Sequence, residues 1–416
     1  MNVLFVHQAF PGQYRHIIRA LAQEGGNSLV ALGIQPLSEK LPKGVRYLRY
    51  LLKRGNTSGI SDLLVETETK LIRAEACARA AAALRDQEGF VPDLICGHPG
   101  WGELLFLADV WPGVPILCYQ EFYYQAYGFD YDFDPELQQP LDWQACAKSR
   151  MKNASILLHL QASHWNVTPT AFQRSTFPSN WQRRISVIHD GIDTRRACPN
   201  PQSAPLTLPD GTVLQRGQPI VTFVNRRLEP YRGCHTFIRC LPELQRLVPE
   251  AEVVIVGHTE GVSYGRACPT GAWKDVFLAE IAGSYDSSRV HFTGSLDYGP
   301  FLQLLQLSAA HVYLTYPFVL SWSLLEAMST GCAIVGSDTA PVREVIEHER
   351  TGLLVDFFQP GDLAAAIAEL LRQPQLARSL GEAARSHVLP RFSLEQCVPR
   401  QLALMQLVAS GALAAS

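Results

Sequence analysis

The sequence predicts an α/β protein of two doubly wound domains, and three observations lead to this prediction. The chain has 416 residues, whereas a single domain usually has roughly 100–200 residues. Short, nearly continuous apolar runs recur along it, as in strands that are covered on both faces of a sheet. Helical patterns separate these runs, and this alternation is typical of α/β proteins with parallel sheets.

The composition narrows the class of protein further. Hydrophobic residues make up 47% of the chain and charged residues 18%, which is enough apolar side chain for full-sized cores and excludes global disorder. The 36 basic and 39 acidic residues argue against a general nucleic-acid-binding protein, which would carry a basic excess. No apolar run approaches the roughly 18–20 residues of a membrane-spanning helix, so we expect no integral membrane segment.

The first half of the chain begins on a strand. No basic leader precedes the apolar residues 3–6 and no small-residue cleavage site follows them, so we interpret this run as a buried strand and not as a signal peptide. Helical patterns at 14–23 and 70–85 lie between the later runs. The strands predicted for this half are 3–6, 28–32, 93–96, 115–119, 155–160 and 184–188.

A proline-rich stretch separates the two halves. Residues 198–219 contain five prolines and follow no helical or strand period, which is typical of a linker. We therefore predict Rossmann-like domains at 1–197 and 220–392, and a C-terminal helix at 393–416 that could cross back. The elements predicted for the second domain are strands at 220–224, 252–256, 290–293, 311–314 and 333–336 and a helix at 362–372.

The ten cysteines carry no metal or disulfide signature. No two are spaced as Cys-x-x-Cys, and several lie within apolar, strand-like runs. We interpret them as reduced core thiols of a cytoplasmic protein, with a zinc site or a disulfide framework as the alternative.

Four patterns that are typical of catalytic or ligand-binding sites were considered, and we do not interpret them as such sites. Residues 261–265 match the Gly-x-Ser-x-Gly elbow of hydrolases, but that elbow needs a helix directly after it, and residues 266–269 cannot start one promptly. The alternating carboxylates at 130–134 could hold a hard cation, but Pro135 stands where a calcium loop needs Gly, so we expect an exposed acidic turn and no metal. A dinucleotide site and a phosphate loop are not expected either, because both glycine-rich signatures are missing.

Three arginines follow the first strand of the second domain. Arg226, Arg227 and Arg232 fall within seven residues, at the expected carboxyl end of a parallel strand. Ligands of α/β proteins usually bind at that end, and two such domains facing each other would enclose a cleft. Because a guanidinium fork matches phosphate oxygens, we interpret these arginines as diphosphate-binding. The alternative is a set of surface arginines that confer solubility.

A predicted helix begins shortly after the strand at 311–314. Ser321 and Ser323 are natural N-caps, and the run that begins at Leu324 forms helix readily. The amides and the positive dipole end of this helix would face the same ligand. We expect Glu326 just inside the first turn, where it either complements the dipole or accepts hydrogen bonds from a vicinal diol such as a ribose.

Two positions in the first domain are also candidates. Gly12 lies in a turn before a helix, where it could let backbone amides approach an anion, or simply form an ordinary tight turn. His98 lies in a glycine-rich turn after a strand, across the proposed cleft from the arginines. A single histidine is more often structural than functional.

Taken together, these segments resemble the retaining, nucleotide-sugar-dependent glycosyltransferases of family 4, which have the GT-B architecture of two facing Rossmann-like domains. The likeness runs through almost the whole chain, and its motifs are specific jointly but not singly. The residues that carry it are 10–13, 98–101, 188–193, 227–233 and 324–331.

The resemblance implies roles for individual residues. The basic pair of the family, which neutralises the donor's diphosphate, corresponds to Arg227 and Arg232, and Arg226 could replace Arg227 in register. The second Glu of the family's Glu-x7-Glu motif, which holds the nucleotide ribose, corresponds to Glu326. The histidine near the family's reaction centre corresponds to His98.

The chain departs from the family at the first Glu of that motif, which corresponds to Phe318. This departure leaves open how the transferred sugar is held and which sugar it is. The donor-binding residues implied for the whole site are Gly12, Arg226, Ser321, Ser323, Leu324 and Glu326.

The reaction implied by the resemblance moves a hexose from a UDP- or GDP-sugar to an acceptor hydroxyl with retention of configuration, without a metal or other cofactor, in glycan or glycoconjugate biosynthesis. The acceptor could be a saccharide, a lipid-linked sugar or a protein. Glu121, Tyr123 and Tyr124 are candidate acceptor-binding residues because aromatic faces suit sugars, and the tyrosines could equally be core residues.

Two rival functions stay open from the residues alone. A GT-B epimerase would convert or release the sugar without an acceptor, and a non-catalytic relative would only bind a nucleotide sugar. The location implied is cytoplasmic, with peripheral contact to the inner face of the membrane if the acceptor is lipid-linked.

Overall fold

The computed structural model describes residues 1–137 and 140–413, which fold as two compact units. Unit 1 comprises Met1–Asp132, Gln138–Gly191 and Leu394–Ser416, and unit 2 comprises Phe133–Leu137 and Ile192–Ser393. Each unit is an α/β layer structure around its own parallel sheet, as the alternation of apolar runs and helical patterns predicts.

Unit 1 is built on a seven-stranded parallel sheet. Its strands are β1 (Asn2–Val6), β2 (Ser28–Gly33), β3 (Val45–Arg49), β4 (Leu94–Gly97), β5 (Ile116–Tyr119), β6 (Trp165–Thr168) and β7 (Ile185–Val187). They lie in the order β3-β2-β1-β4-β5-β6-β7. The central strand β1 is fully buried from Val3 to Val6, because helices cover both faces of the sheet.

The described part of unit 1 has α-helices between these strands, and one of them replaces a predicted strand. They are α1 (Arg15–Glu24), α2 (Val65–Glu88), α3 (Leu107–Val110), α4 (Trp143–Lys152), α5 (Ala154–Ala162), α6 (Ala171–Ser175) and α7 (Ser179–Gln182). The strand predicted at 155–160 is wrong, since these residues form α5. Ile156 and Leu160, four residues apart, are buried while Leu157 and Leu158 are exposed. A short apolar run alone does not distinguish this helical pattern from a buried strand.

Unit 2 is built on a six-stranded parallel sheet and a two-stranded antiparallel hairpin. Its strands are β8 (Leu206–Thr207), β9 (Val213–Leu214), β10 (Ile220–Arg227), β11 (Glu252–His258), β12 (Val290–Gly294), β13 (Ala310–Tyr313), β14 (Ile334–Ser337) and β15 (Leu353–Val355). The main sheet has the order β12-β11-β10-β13-β14-β15, and β8 pairs with β9. Its helices are α8 (Cys234–Leu247), α9 (Trp273–Glu280), α10 (Tyr298–Leu307), α11 (Trp322–Thr330), α12 (Ala340–Arg343), α13 (Pro360–Arg372) and α14 (Pro374–Phe392).

The stretch predicted as a linker at 198–219 is instead a folded part of unit 2. Leu206, Leu208 and Leu214 of the β8–β9 hairpin are buried in the core of this unit. At the tip of the hairpin, the Oδ2 atom of Asp210 lies 2.7 Å from Nδ1 of His291 on β12. The prolines suppress regular periodicity, but the leucines between them supply the apolar surface that fixes the segment to the core.

The C-terminal helix α15 (Leu394–Ala409) belongs to unit 1. Leu404, Met405 and Val408 pack into the core that contains Val3 and Phe5 of β1. None of the described helices is both long and apolar enough to cross a membrane. All ten cysteines are free thiols, and seven of them are buried, as expected for core residues.

Helices α11 and α14 approach each other so closely that only glycine fits at one position of α14. A Cβ atom on Gly381 would lie 2.1 Å from the carbonyl oxygen of Gly331, the residue that ends α11. We expect Gly381→Ala to destabilise unit 2 by roughly 1–3 kcal/mol, the usual cost of overpacking. The melting temperature should fall by several degrees, at about 2–4 °C per kcal/mol for a unit of this size.

Gly361→Ala is the matched control, because a Cβ atom there meets no atom within 4 Å. Thermal unfolding of both variants checks the prediction. Equal melting temperatures for the two variants would contradict it.

Candidate functional site

Each sheet has one point where the strand order reverses, and most of the predicted site residues follow the strands at these points. In unit 2 the reversal lies between β10 and β13, and in unit 1 it lies between β1 and β4. The loops that leave two such strands diverge and form a crevice beyond the carboxyl ends of the strands. Arg226, Arg227, Arg232 and the start of α11 lie there in unit 2, and His98 follows β4 in unit 1.

The guanidinium of Arg232 is the most buried cationic group of the unit 2 crevice. Its residue is 7% exposed, and its Nη1 atom donates to the carbonyl oxygen of Val319 and to Oγ1 of Thr315, both at 2.9 Å. These acceptors are neutral, so they orient the positive charge without neutralising it. A cation held in this way is suited to an anionic ligand.

A tyrosine that sequence reasoning missed joins this arginine to the start of α11. The hydroxyl of Tyr313, the last residue of β13, accepts from the amide of Ser321 at 2.8 Å and lies 3.3 Å from Nη1 of Arg232. Burial raises the pKa of Tyr313 despite the nearby guanidinium. Its position at the carboxyl end of a predicted strand is the signal that could have identified it.

The other two arginines leave the sheet at a bulge. The pairing of β10 with β11 shifts register between Val224 and Arg227, and Arg226 is exposed whereas Arg227 is half-buried. The Nη1 atom of Arg227 donates to the carbonyl oxygen of Glu260. Arg227 therefore lies along the loop after β11, while Arg226 points away into solvent.

Glu229 holds that same loop in place and was not singled out by sequence reasoning. Its carboxylate is buried and accepts from the amides of Ser263 at 2.5 Å and Tyr264 at 3.1 Å. Burial raises its pKa, against the opposing effect of these two amides and of the neighbouring arginines. The Gly-x-Ser-x-Gly match at 261–265 is thus a loop fixed by Glu229, with the next helix beginning only at Trp273, which rules out a nucleophile elbow.

The start of α11 differs in two details from the prediction. Ser321 is the N-cap, whereas Ser323 lies inside the helix and its amide donates to Oγ of Ser321 at 3.3 Å. The amide of Leu324 donates to the carbonyl oxygen of Ser321, also at 3.3 Å. Both bonds are long, so these amides are only weakly engaged.

Glu326 is the fifth residue of α11, just beyond the first turn in which it was expected, because the helix begins at Trp322. Its Oε1 atom accepts from the hydroxyl of Tyr298 at 2.9 Å. The guanidinium of Arg196 lies 4.7 Å from the centre of the Tyr298 ring. The carboxylate is therefore held in one orientation by the helix after β12.

Phe318, which replaces the first Glu of the family motif, is packed among aromatic rings. It is 4% exposed, and its ring centre lies 4.8 Å from that of Tyr264 and 5.6 Å from that of Tyr231. Gly265 permits this packing, because a Cβ atom there would lie 2.7 Å from the Tyr231 ring. The position thus contributes apolar packing where a carboxylate would offer hydrogen-bond acceptors.

The acidic run at 130–134 is not the exposed turn that we expected. Asp134 is 2% exposed and belongs to unit 2, where its Oδ2 atom accepts from the Tyr316 hydroxyl at 2.5 Å and lies 3.1 Å from Nε2 of His235. Phe133 beside it packs on Tyr316 and Phe357. Burial alone would raise the pKa of Asp134, but its hydrogen bonds lower it to about 2. The partners come from distant segments, so the local sequence could not reveal them.

In unit 1, His98 caps a short turn at the end of β4. Its Nδ1 atom accepts from the amide of Gly100 at 3.0 Å, and its ring stacks on Trp101 at 4.1 Å between centres. His7 at the end of β1 lies edge-on to it at 6.0 Å. Burial, together with His98, lowers the pKa of His7 to about 4. Gly12 has a φ of +48°, and a Cβ atom there would lie 2.3 Å from the His7 ring, so glycine permits this close approach.

A small cavity of about 60 Å³ opens beside His98. Glu121 and Tyr124 line it, and Oε2 of Glu121 lies 3.6 Å from Nε2 of His98. Tyr123 does not line it; its ring packs on Phe177 at 5.7 Å between centres. Trp101 also lines it, and lining residues that sequence reasoning missed include Glu66, Lys70 and Gln120.

Two of these missed residues carry charge. Lys70 of α2 is 6% exposed, and its Nζ atom lies 2.9 Å from Oε1 of Glu66 and donates to the carbonyl oxygen of Lys152 at 3.1 Å. The wall of the cavity therefore combines an ammonium, carboxylates and an imidazole, which offers donors and acceptors for hydroxyl groups. Among residues 1–137 and 140–413, no cluster of three or more His, Cys, Asp and Glu side chains is arranged to hold a metal ion.

The sequences of both units match models of glycosyltransferase families. The family model described as Glycosyl transferase family 4 group matches residues 25–197. The model described as Glycosyl transferases group 1 matches residues 208–387. The chain belongs to glycosyltransferase family 4. Its two Rossmann-like units are those of the GT-B fold, as the resemblance implied.

Curated relatives match only part of the chain, and the chain spans about half the length of those relatives. It is 27% identical over 173 residues to the uncharacterized glycosyltransferase MJ1069 of Methanocaldococcus jannaschii, covering 41% of each protein. It is 27% identical over 239 residues to the GDP-mannose-dependent alpha-(1-6)-phosphatidylinositol monomannoside mannosyltransferase of Mycobacterium tuberculosis, covering 54% of this chain and 56% of that one.

Solved structures resemble the chain over its whole length. Sucrose-phosphate synthase from Thermosynechococcus elongatus has a TM-score of 0.75 at 16% identity and covers 99% of this chain and 100% of its own. Anabaena HepE in complex with UDP and glucose has a TM-score of 0.66 at 14% identity, and the match covers 98% of this chain and 99% of the HepE chain. At such identities the likeness concerns the fold alone.

The buried carboxylate of Asp134 provides a test of the unit 2 crevice. Its folded pKa is lowered from 3.8 to about 2, so it adds stability that is present above about pH 4 and is lost as the pH falls through 2. The shift corresponds to about 2 kcal/mol at neutral pH. We expect Asp134→Asn to lower the melting temperature at pH 7, with a difference from wild type that narrows between pH 5 and pH 3.

Asp132→Asn is the matched control, because the Asp132 carboxylate accepts from the amide of Gly128, four residues away, and from no distant segment in the described part of the chain. Thermal unfolding at pH 7, 5, 4 and 3 measures both differences. A deficit for Asp134→Asn that stays constant from pH 7 to pH 3 would contradict the assignment.

Proposed function

We propose that this chain is a retaining glycosyltransferase that moves a hexose from a nucleoside-diphosphate sugar to an acceptor hydroxyl without a metal ion. The observation that carries the proposal is the buried guanidinium of Arg232, which neutral acceptors orient at the reversal point of the unit 2 sheet. Membership of family 4 supports it. The cellular role would be glycan or glycoconjugate biosynthesis in the cytoplasm.

The proposed role of the arginines is to stabilise the charge that develops on the departing diphosphate. Arg232 is fixed by neutral acceptors, and Arg227 lies along the loop after β11. The weakly engaged amides of Ser323 and Leu324 at the start of α11 would add to this effect. Preorganised donors of this kind need no rearrangement when the glycosidic bond breaks.

The proposed role of Glu326 is to accept hydrogen bonds from the two ribose hydroxyls of the nucleotide. The hydroxyl of Tyr298 fixes one oxygen of its carboxylate. Uridine and guanosine diphosphates are the proposed nucleotides. HepE was solved with UDP-glucose, and the mycobacterial relative is named for GDP-mannose.

The proposed acceptor side is the cavity beside His98. Its mixture of Lys70, Glu66 and Glu121 side chains suits the hydroxyl groups of a saccharide. His98 would position the reacting groups near the anomeric carbon, because orientation contributes strongly to such reactions. Tyr124 lines this cavity and Tyr123 does not, so Tyr124 is the better candidate of the two for acceptor contact.

A second candidate function is a protein that binds a nucleotide sugar without transferring it. The aromatic packing of Phe318 favours this alternative, because the position cannot accept a hydrogen bond from the sugar. The third candidate function is that of an epimerase. Assays with and without an acceptor distinguish these three functions. A transferase releases the nucleotide only when an acceptor is present, whereas an epimerase changes the sugar without an acceptor. A protein that only binds the nucleotide sugar does neither.

The first test is a thermal-shift screen with UDP, GDP, ADP, TDP and their common sugar conjugates. A nucleotide that binds the folded protein raises the melting temperature by mass action. We expect one base to raise it, with the same shift in EDTA. A shift that EDTA abolishes would contradict metal independence, and no shift with any nucleotide would contradict the proposal.

The second test compares single arginine variants in a transfer assay with the nucleotide sugar found by the screen. We expect Arg232→Ala to lower kcat by roughly 10²–10³-fold, as removal of one preorganised donor does. Arg227→Ala should also lower it, whereas Arg226→Ala serves as the exposed control. Turnover of Arg232→Ala within threefold of wild type would rule out its role.

The third test concerns the ribose. Glu326→Gln keeps the size of the side chain but removes the charged acceptor, so we expect about tenfold weaker binding of the nucleotide, as for loss of a charge-assisted hydrogen bond. Binding of inorganic pyrophosphate should be unchanged, and calorimetry measures both. Equal losses for nucleotide and pyrophosphate would place Glu326 outside the ribose site.

A further inference from the structure

A large cavity opens in unit 2 at the amino ends of the strands, at the other end of the sheet from the crevice. Its volume is about 750 Å³, within the range of about 300–1,000 Å³ that is typical of small-molecule sites. Residues 217–219 before β10, 308–309 before β13 and Ala333 before β14 line it. A strand rises about 3.3 Å per residue and β10 has eight residues, so the lining before β10 lies roughly 25 Å from Arg227. We call this cavity the amino-end cavity.

Charged residues of both signs line the amino-end cavity. They are Arg216, Arg378, Arg385, Glu250 and Glu382. No two of these five form an ion pair within the described part of the chain, although Arg378 and Glu382 are only one turn of α14 apart. Arg378 is exposed, and its guanidinium makes no hydrogen bond to any described residue. The side chains of Arg378, Glu250 and Glu382 are therefore available to a bound molecule.

Three helices end at the amino-end cavity and one begins there. The last turns of α10, α11 and α13 line it, as does the start of α14. Carbonyl ends of helices carry partial negative charge, and Arg385 donates to one of them, the carbonyl oxygen of Ser329 in α11. Arg216 is exposed, and its Nη2 atom donates to the carbonyl oxygen of Asn200 at 3.1 Å. Arg385 thus serves the end of α11, and the cations left for a ligand are Arg216 and Arg378.

A chain of buried hydroxyl and imidazole groups leads inward from Ser308 in the cavity wall. Oγ of Ser308 lies 2.7 Å from Oγ1 of Thr222, which in turn lies 2.9 Å from Nδ1 of His311. Thr222 and His311 are fully buried, and burial lowers the pKa of His311 to about 3. Its imidazole is therefore neutral at pH 7, and this wall adds polar groups to the cavity without adding charge.

We propose that the amino-end cavity binds a phosphorylated, hydroxyl-rich small molecule of the sugar phosphate class. The guanidinium groups of Arg216 and Arg378 match phosphate oxygens. The carboxylates of Glu250 and Glu382 accept hydrogen bonds from hydroxyl groups. None of the described residues that line the cavity is aromatic, so a nucleobase would find no ring to stack on. A nucleotide is therefore the poorer match.

The amino-end cavity is separate from the crevice that the proposed transferase would use. Helix α11 runs between them, with its N-cap Ser321 at the crevice and Gly331, which ends the helix, at the cavity. Because the two sites lie at opposite ends of one helix, a sugar phosphate and a nucleotide can occupy unit 2 together. The proposal does not depend on the proposed transferase activity.

Isothermal titration calorimetry of the full chain tests the proposal. The probes are glucose 6-phosphate, fructose 6-phosphate and glycerol 3-phosphate, together with glucose and inorganic phosphate. We expect at least one of the three phosphate esters to bind at least about tenfold more tightly than glucose or inorganic phosphate, because it engages the arginines and the carboxylates together. No binding of any phosphate ester, or equal binding of inorganic phosphate, would overturn the proposal.

A double variant of the cavity arginines checks where the phosphate ester binds. Arg216→Ala with Arg378→Ala should weaken binding by at least about tenfold, because charge-assisted hydrogen bonds are lost. The matched control is Arg150→Ala with Arg183→Ala, which removes the same charge at exposed positions of unit 1 and should bind like wild type. An equal loss in the two double variants would mean attraction by net charge alone and would overturn the proposed site.

Two single variants distinguish the amino-end cavity from the sites described above. Arg232→Ala alters the crevice and Lys70→Ala alters the cavity beside His98. Both should bind the phosphate ester like wild type when measured well below their melting temperatures. Binding that is lost in either of them, and kept in the double variant of Arg216 and Arg378, would overturn the proposal. The thermal shift caused by a nucleotide should in turn be unchanged in that double variant.

Discussion

The unit 2 crevice depends on the parallel pairing of β10 with β13. In this pairing Val221 lies beside Ala310 and Phe223 beside Val312. The two strands are about ninety residues apart in the chain, and the pairing brings their ends together. Arg232 follows the first strand and Val319 the second, and only this pairing allows one to donate to the other. Unit 1 follows the same rule, with His7 after β1 and His98 after β4. The clustering of these polar residues in each unit is therefore a consequence of strand order.

Buried polar groups then fix the loops that the strand order brings together. Glu229 accepts from the amides of Ser263 and Tyr264, and Asp134 accepts from the hydroxyl of Tyr316. In each of these loops, hydrogen bonds to a buried carboxylate add to the aromatic packing that holds the loop in position. A buried carboxylate is costly unless it is satisfied in this way, and the cost is what makes the arrangement specific.

Phe318 gives unit 2 its clearest difference from the family pattern. In the family the corresponding carboxylate would offer acceptors to a sugar, whereas here the ring packs between Tyr231 and Tyr264. Gly265 is part of the same arrangement, since a side chain there would collide with Tyr231. The aromatic residues stabilise the two loops against each other, so Phe318 contributes to the packing of both loops.

The sequence by itself determined the fold class and much of the candidate site. Most of the parallel strands and the motifs that follow them could be predicted, because most of these strands are buried and end in polar residues. The strand β3 was not predicted, because it is only partly buried. Tertiary structure decided the rest: the β8–β9 hairpin in place of a linker, α5 in place of a strand, and the burial of Asp134. Glu229, Tyr313 and Lys70 likewise acquire their roles from partners far away in the chain. Local periodicity indicates which secondary structure a segment favours, whereas burial and hydrogen bonding depend on the residues that the tertiary fold brings next to it.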